Sequence, residues 1–447
     1  MHDLLIHHAN TPEGLTDLAI SGGLIVETGP SLTGAAHEVI DATGLMVWPG
    51  FIDAHVHFNE PGRADWEGLG TGSRALAAGG GTAFFDMPLN SSPPTANVAA
   101  LMEKVRCAEA NSVLDFGLWG ALIPGNEDDL EPLAAAGVVG FKAFMSDSGI
   151  EEFPSVDATV LRAGMKRAAA CGRLVALHAE DRALTRRLAA AALAAGRTGV
   201  RDYLDSRPIQ AELAAIDLAT DLAGEAGCAL HIVHVSSPEG LARLMAARAA
   251  GVNVTSETCP HYLLLNDKDV ERTGPLAKCA PPLRDEGRRV AMWQALAAGA
   301  VQTIGTDHSP APMAMKQSTD FFKVWGGIAG CQHGFPLTIA AGLLDHGLTA
   351  EKLSPLLSRN VAERFGISQR KGRILAGMEA DLVLLRPGTE DRIDVKDLLT
   401  RHRISAYTGM VNRCRVERTL GRGQTVWPPA DGGSVPQGRW LKPEAIT

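Results

Sequence analysis

The chain predicts an α/β fold: a (β/α)8 barrel of the TIM type with a small β-sandwich domain formed by both chain ends. Three observations predict it. Eight short apolar runs alternate with Ala- and Leu-rich helical stretches through the middle of the sequence. No Gly-x-Gly-x-x-Gly turn follows the first run, which disfavours an open doubly wound sheet. Both ends are rich in short strands and turns.

The N-terminal piece, 3–48, reads as short strands separated by turns (LLIHHA, LAISGGLIVETG, EVIDATGLMVW). The barrel runs follow at 47–57, 82–88, 114–122, 138–144, 174–180, 228–236, 252–259 and 303–310. They are continuously apolar rather than alternating, the pattern of strands buried on both faces in a parallel sheet. Thr95 suits the N-cap of a helix running to about Ala110. Eight strand–helix units in roughly 250–300 residues match one closed barrel. Residues 372–427 return to short strands (RILAG, ADLVLLRP, RISAYTGMVNRCRVERTLG, QTVW). Neither end alone could cover its apolar face, so residues 1–50 and 370–447 are expected to form one composite β domain around a barrel at 51–369. The Gly- and Pro-rich tail from Pro428 is expected on the surface.

The 447 residues are 45% hydrophobic and 21% charged, the composition of a globular protein large enough for a sizeable core. A formal net charge of −9 leaves no basic footprint for nucleic acid. No long uncharged apolar stretch and no signal-like N-terminus are present, so neither membrane nor export is expected. The seven cysteines form no Cys-x-x-Cys, which fits a reducing, cytoplasmic compartment.

His55 and His57 lie two residues apart on an apolar strand, so both imidazoles share one face. A lone strand histidine is usually a core residue; two at this spacing on a first barrel strand point to a metal pair. Lys142 sits inside GFKAF, where a buried ammonium would be costly. Kept neutral, its amine can react with carbon dioxide to give a carbamate with two oxygens for two ions. His178, His234 and Asp307 end three further runs. His231, three residues from His234, falls on the opposite face and is given a structural role. Nitrogen and oxygen donors without thiolate suit zinc, manganese, iron or cobalt.

These residues, with ETCPHYL (257–263), KCAPPLR (278–284) and TDHSP (306–310), resemble the cyclic amidohydrolase branch of the amidohydrolase superfamily, from PGFIDAHVH to about Gly366 and into the β ends. The resemblance implies two divalent ions, zinc first among the choices. His55, His57 and Asp307 would bind one, and His178 and His234 the other; N6-carboxylated Lys142 and a hydroxide would bridge them. It also implies a homo-oligomer, commonly a tetramer. A scaffold that had lost its metals is the alternative of another class, but all six ligand positions are filled here.

Dihydroorotases clamp a substrate carboxylate with groups whose positions here are Asn59, Ala280 and Ala311. Losing such charge-assisted hydrogen bonds would cost about 1.5–3 kcal/mol each. Hydantoinases carry a Tyr five residues after the carboxylated lysine, where this chain has Asp147. NEPGRADWEG (59–68), DMPLNS (86–91) and WGGIAG (325–330) instead resemble allantoinases, although SAYTGM (405–410) departs from their pattern. The expected reaction is ring opening of allantoin to allantoate by the bridging hydroxide, with Asp307 as base and then acid. Asn90, Ser309, Ala280 and Gly327 are the expected substrate contacts for a small cyclic ureide or amide. Arg63 and Glu67 are expected as a solvated loop pair, and His308 and His261 as packing or supporting residues.

Overall fold

The apolar runs of the middle sequence become parallel strands whose C-terminal ends point to one mouth, in a computed structural model that describes residues 1–429 and 437–444. Five strands precede the barrel: β1 (His2–Thr11), β2 (Gly14–Ser21), β3 (Leu24–Gly29), β4 (Ala36–Asp41) and β5 (Met46–Pro49). The barrel strands are β6 (Phe51–Val56), β7 (Gly81–Asp86), β8 (Asp115–Leu118), β9 (Gly120–Ala121), β10 (Phe141–Phe144), β11 (Val175–His178), β12 (Leu230–Ile232), β13 (Val254–Thr258) and β14 (Thr303–Ile304). β6, β7 and β8 pair in parallel, and so do β9 to β14 in sequence. β8 and β9 are one strand interrupted at Trp119, with β8 linked onward by Val139 N–H to the Leu118 carbonyl at 2.9 Å. His57 N–H donates to the His308 carbonyl at 2.8 Å and closes the ring.

The expected run 47–57 is two strands. β5 joins the outer sheet and β6 starts the barrel, with Gly50 at the crossing. Its backbone passes so close to the barrel that a Cβ there would lie 2.3 Å from the Thr82 side chain. After the barrel come β15 (Leu382–Arg392), β16 (Val411–Gly421) and β17 (Gln424–Trp427). They join the N-terminal strands in one sheet, ordered β17-β16-β15-β5-β1-β2-β3 with β4 beside β1. Leu4, Ile6, Leu18 and Ile20 from one end pack with Leu382, Leu384 and Leu420 from the other, so each end covers the apolar face the other leaves bare.

Two expectations are corrected. The helix begins at Val98, capped by the Asn97 side chain on Ala100 N–H at 3.0 Å, not at Thr95. Asn97 has the extended backbone a cap requires, while the Thr95 hydroxyl is buried without a partner. The tail is not simply superficial: Arg439 O accepts from Phe116 N–H at 2.9 Å, and Leu441 is buried. Its residues 430–436 and 445–447 lie outside the described residues. No helix among the described residues is long and apolar enough to cross a membrane.

Candidate active site

At the barrel mouth lies a cavity of about 380 Å³ lined by His55, His57, Asn90, His178, His234, Ala280, Asp307, Ser309 and Gly327 among others. His55 is carried by β6, His57 follows it by one residue, and His178 ends β11. His234 and Asp307 sit just beyond β12 and β14 with φ of 42° and 47°, a left-handed backbone rare for such residues. Asn59 and Asn90 share it at 66° each, so strain concentrates around this mouth.

The Nε2 atoms of His55 and His57 lie 3.2 and 3.4 Å from one oxygen of Asp307. On the other side His178 Nδ1 faces His234 Nε2 at 3.0 Å. The His55 contact is unsatisfying without something between the atoms. His55 places Nδ1 2.7 Å from Glu257, and a carboxylate can only accept, so the single proton of the neutral ring is spent there. Its Nε2 lone pair therefore confronts the Asp307 carboxylate, two acceptors facing each other. His178 holds its proton in the same way: Nε2 is 2.7 Å from Glu180, so the Nδ1 lone pair faces His234 and accepts from its Nε2 at 3.0 Å. Burial holds His57, His178 and His234 below the ordinary imidazole value, in the neutral form that binds cations. Burial would raise Asp307, but His55 and His57 hold it well below the usual carboxylate range. His55, His57 and Asp307 thus form a compact donor set that fits a divalent ion.

Lys142, in β10, is fully buried and its Nζ has no hydrogen-bond partner. Burial pushes its ammonium down to about 7, opposed by the charges of Asp307 and Glu257. The same amine depresses His178 and His234 and is itself raised by Asp307, so it lies near both donor groups. An orphaned, readily neutral amine at that place fits a carbamate bridging two ions.

The supporting residues were not read from sequence. Glu257 accepts from His55 and lies 3.6 Å from His231, and against burial these rings hold it down to about 2. Glu180 is fixed by Arg207 on its far side and, against burial, is held at about 2. Asp53 ties the first barrel strand to the last, accepting from His55 N–H at 3.1 Å and Thr306 N–H at 3.0 Å. Asp86 accepts from Phe58 N–H at 2.7 Å and pairs with buried Lys104. ETC and HAE, the segments holding Glu257 and Glu180, belong to runs already singled out, but Glu257 meets His55 across 202 residues and Glu180 meets Arg207 across 27.

The other expectations sort as follows. Asn90 Nδ2 is 3.5 Å from Ser309 Oγ, and both line the cavity with Ala280. Gly327 lines it too, but its N–H already donates to Lys278 O at 2.7 Å and its carbonyl accepts from Lys316 at 2.9 Å. Asp147 stands on the rim, bound to Arg186 at 2.6 Å. Arg63 and Glu67 are not a solvated pair: Arg63 reaches Asn90 O and Glu152, whereas Glu67 is buried and accepts from Arg401 N–H. His308 accepts from Gly330 N–H at 3.1 Å and packs on Phe58, and His231 bonds Thr255 at 2.7 Å. His261 is buried with both ring nitrogens unpartnered.

The model of the amidohydrolase family matches residues 46–426. The chain belongs to the amidohydrolase family. It is 48% identical over 431 residues to an allantoinase of Solibacter usitatus, covering 96% of this chain and 94% of that protein. An allantoinase of Rubrobacter xylanophilus is also 48% identical, over 99% of this chain and 98% of its own length. Among solved structures, the L-hydantoinase (dihydropyrimidinase) from Arthrobacter aurescens superposes with a TM-score of 0.93 at 30% identity, covering 100% of this chain and 99% of that one. The allantoinase relatives and the hydantoinase neighbour place the chain in the cyclic amidohydrolase branch.

Proposed function

We propose that this chain is an allantoinase, opening the hydantoin ring of allantoin by hydrolysis to give allantoate. One observation carries the reading: a barrel mouth with this donor set occurs in a chain 48% identical, over nearly its whole length, to allantoinases. The hydantoinase fold neighbour is equally complete but only 30% identical, and the exposed Asp147–Arg186 pair stands where a hydantoinase presents a phenol.

His55, His57 and Asp307 would hold one divalent ion and His178 and His234 a second, with carboxylated Lys142 between; zinc suits these donors. When bound, two such ions would supply a water acidic enough to attack near neutral pH and would polarise the ring carbonyl. Asp307, kept ionised, takes the proton of the attacking water and returns it to the leaving ring nitrogen. Asn90 and Ser309 offer amide and hydroxyl groups to the ureide, while Ala280 and Gly327 shape the wall. The reading carries with it a barrel unit at 51–369, a composite β domain from 1–50 and 370–447, a homotetramer and a cytoplasmic setting. The seven thiols, all free, are in keeping with the last.

The test is turnover of allantoin, hydantoin, dihydrouracil and dihydroorotate by protein reconstituted with zinc and bicarbonate. Allantoin should be opened well above the others, and Asp307→Asn should lose at least about a thousandfold in kcat. Preference for hydantoin or dihydrouracil would overturn the substrate; turnover surviving in the variant would overturn the proton role.

A further inference from the structure

Two buried lysines outside the donor set are unaccounted for by the hydrolysis. Lys278, in the KCAPPLR segment, lines the cavity and is only 4% exposed. Its ammonium donates to the carbonyls of Phe321, at 2.6 Å, and Val324, and lies 3.5 Å from that of Phe322. It also sits 4.3 Å from the centre of the Tyr203 ring. Lys316, 3% exposed, donates to the carbonyls of Gly327 at 2.9 Å, Trp325 at 3.2 Å and Pro275 at 3.4 Å. Among the described residues the hydrogen-bond partners of both head groups are carbonyl oxygens and not carboxylates. Burial lowers Lys278 to about 7 and Lys316 to about 8, and every hydrogen bond that holds either head group in place is to main-chain oxygen.

Those carbonyls belong almost wholly to one segment. Residues 321–327 contain no helix or strand, and Phe322, Lys323, Val324, Trp325, Gly326 and Gly327 all line the cavity. The segment is also fastened by its own amides: Gly327 N–H donates to Lys278 O at 2.7 Å and Trp325 N–H to Met315 O at 2.9 Å. Lys278 therefore grips the segment by both its backbone carbonyl and its side chain, and Lys316 holds the next carbonyls along. The residues whose carbonyls the lysines hold, Val324, Trp325 and Gly327 among them, themselves line the cavity, so the contacts that fix this backbone also fix the wall.

We propose that Lys278 and Lys316 are positioning residues that clamp the 321–327 segment as a wall of the substrate pocket, setting substrate affinity without taking part in bond breaking. The proposal rests on the reading of this cavity as the substrate site. Its mechanism is preorganisation: a wall already in place does not charge its ordering entropy to binding.

The experiment uses the intact, metal-loaded enzyme and the variants Lys278→Met and Lys316→Met, which keep the aliphatic stem and remove the ammonium. Each should raise KM for allantoin at least about tenfold while kcat changes less than about threefold and metal content stays at the wild-type level. Amide hydrogen exchange at Trp325 and Gly327 should be slow in the wild type and at least about tenfold faster in the variants. Unchanged KM and exchange, or a loss confined to kcat, would overturn the clamp. Should a variant fail to fold, the wild-type exchange still decides: rates at Trp325 and Gly327 like those of an unprotected loop would overturn it. Exchange needs no substrate, so wild-type protein that is inert on allantoin but shows the protected segment would fault the substrate assignment and not the clamp.

Discussion

At the scale of single residues, the mouth is organised by where protons are forced to sit. Glu257 commits the His55 proton to Nδ1 and so presents Nε2 to the proposed ion. Glu257→Gln removes the charge that fixes this tautomer and should weaken metal binding by about 10–100-fold, measured by competition with a chelator; unchanged affinity would mean the ring is oriented by packing alone. Glu67 behaves differently because its burial outweighs both the Arg401 N–H bond and the Arg401 charge. Burial pushes its acid up to about 8 from 4.5, so the native chain holds a proton that the unfolded chain has lost. The stabilisation from this group is complete below about pH 4.5 and is lost as pH rises through about 8. In Glu67→Gln the decline in melting temperature between about pH 5 and pH 8 should therefore be smaller than in the wild type. Scanning calorimetry at the two pH values checks this, and an equal decline would show the carboxyl to be ionised in the fold.

At the scale of elements, the pocket depends on close backbone approaches where strands give way to loops. Gly327 has φ of 131°, and a Cβ there would lie 2.1 Å from the Ser309 carbonyl oxygen. Gly327→Ala should cost about 1–3 kcal/mol in backbone strain alone. The clash also pushes the 321–327 segment off the loop bearing Ser309, so KM should rise as the melting temperature falls. Steady-state kinetics beside thermal unfolding tests this, and a variant that loses stability at unchanged KM would separate Gly327 from the pocket. The strand interruptions have a related logic. The barrel run at 114–122 breaks at Trp119, whose indole N–H spans the barrel interior to the Ala54 carbonyl at 3.0 Å.

At the scale of the whole molecule, the chain ends are locked to the barrel by a buried charge cluster. Lys371 lies 2.8 Å from Asp115 at the start of β8 and 2.7 Å from Glu379, and pairs also with Asp381. Arg422 from the end of β16 joins Asp115 as well. One ammonium shared among three carboxylates holds Asp115 low against burial, while burial keeps Asp381 raised. Lys371→Met would leave these acids buried without their central partner, a defect of about 3–5 kcal/mol. A clear drop in melting temperature is expected, with the mouth and its metal affinity unchanged in the folded fraction. A neutral effect on stability would mean Arg422 and solvent suffice.

The sequence by itself determined the kinds of element and the kinds of donor. Continuous apolar runs separated by helical stretches need parallel pairing to bury both faces, and histidines at positions 55 and 57 must share a strand face whatever surrounds them. These are local consequences of backbone geometry. Tertiary structure alone decided which atoms meet. Glu257 reaches His55 across 202 residues, Asp53 reaches Thr306 across 253, and the first and last strands share one sheet. It also divided 47–57 between two sheets, buried Glu67, and gave Lys278 and Lys316 main-chain partners in place of carboxylates. Closing a barrel and joining its ends brings distant residues within bonding distance, and no periodicity along the chain records which of them will arrive.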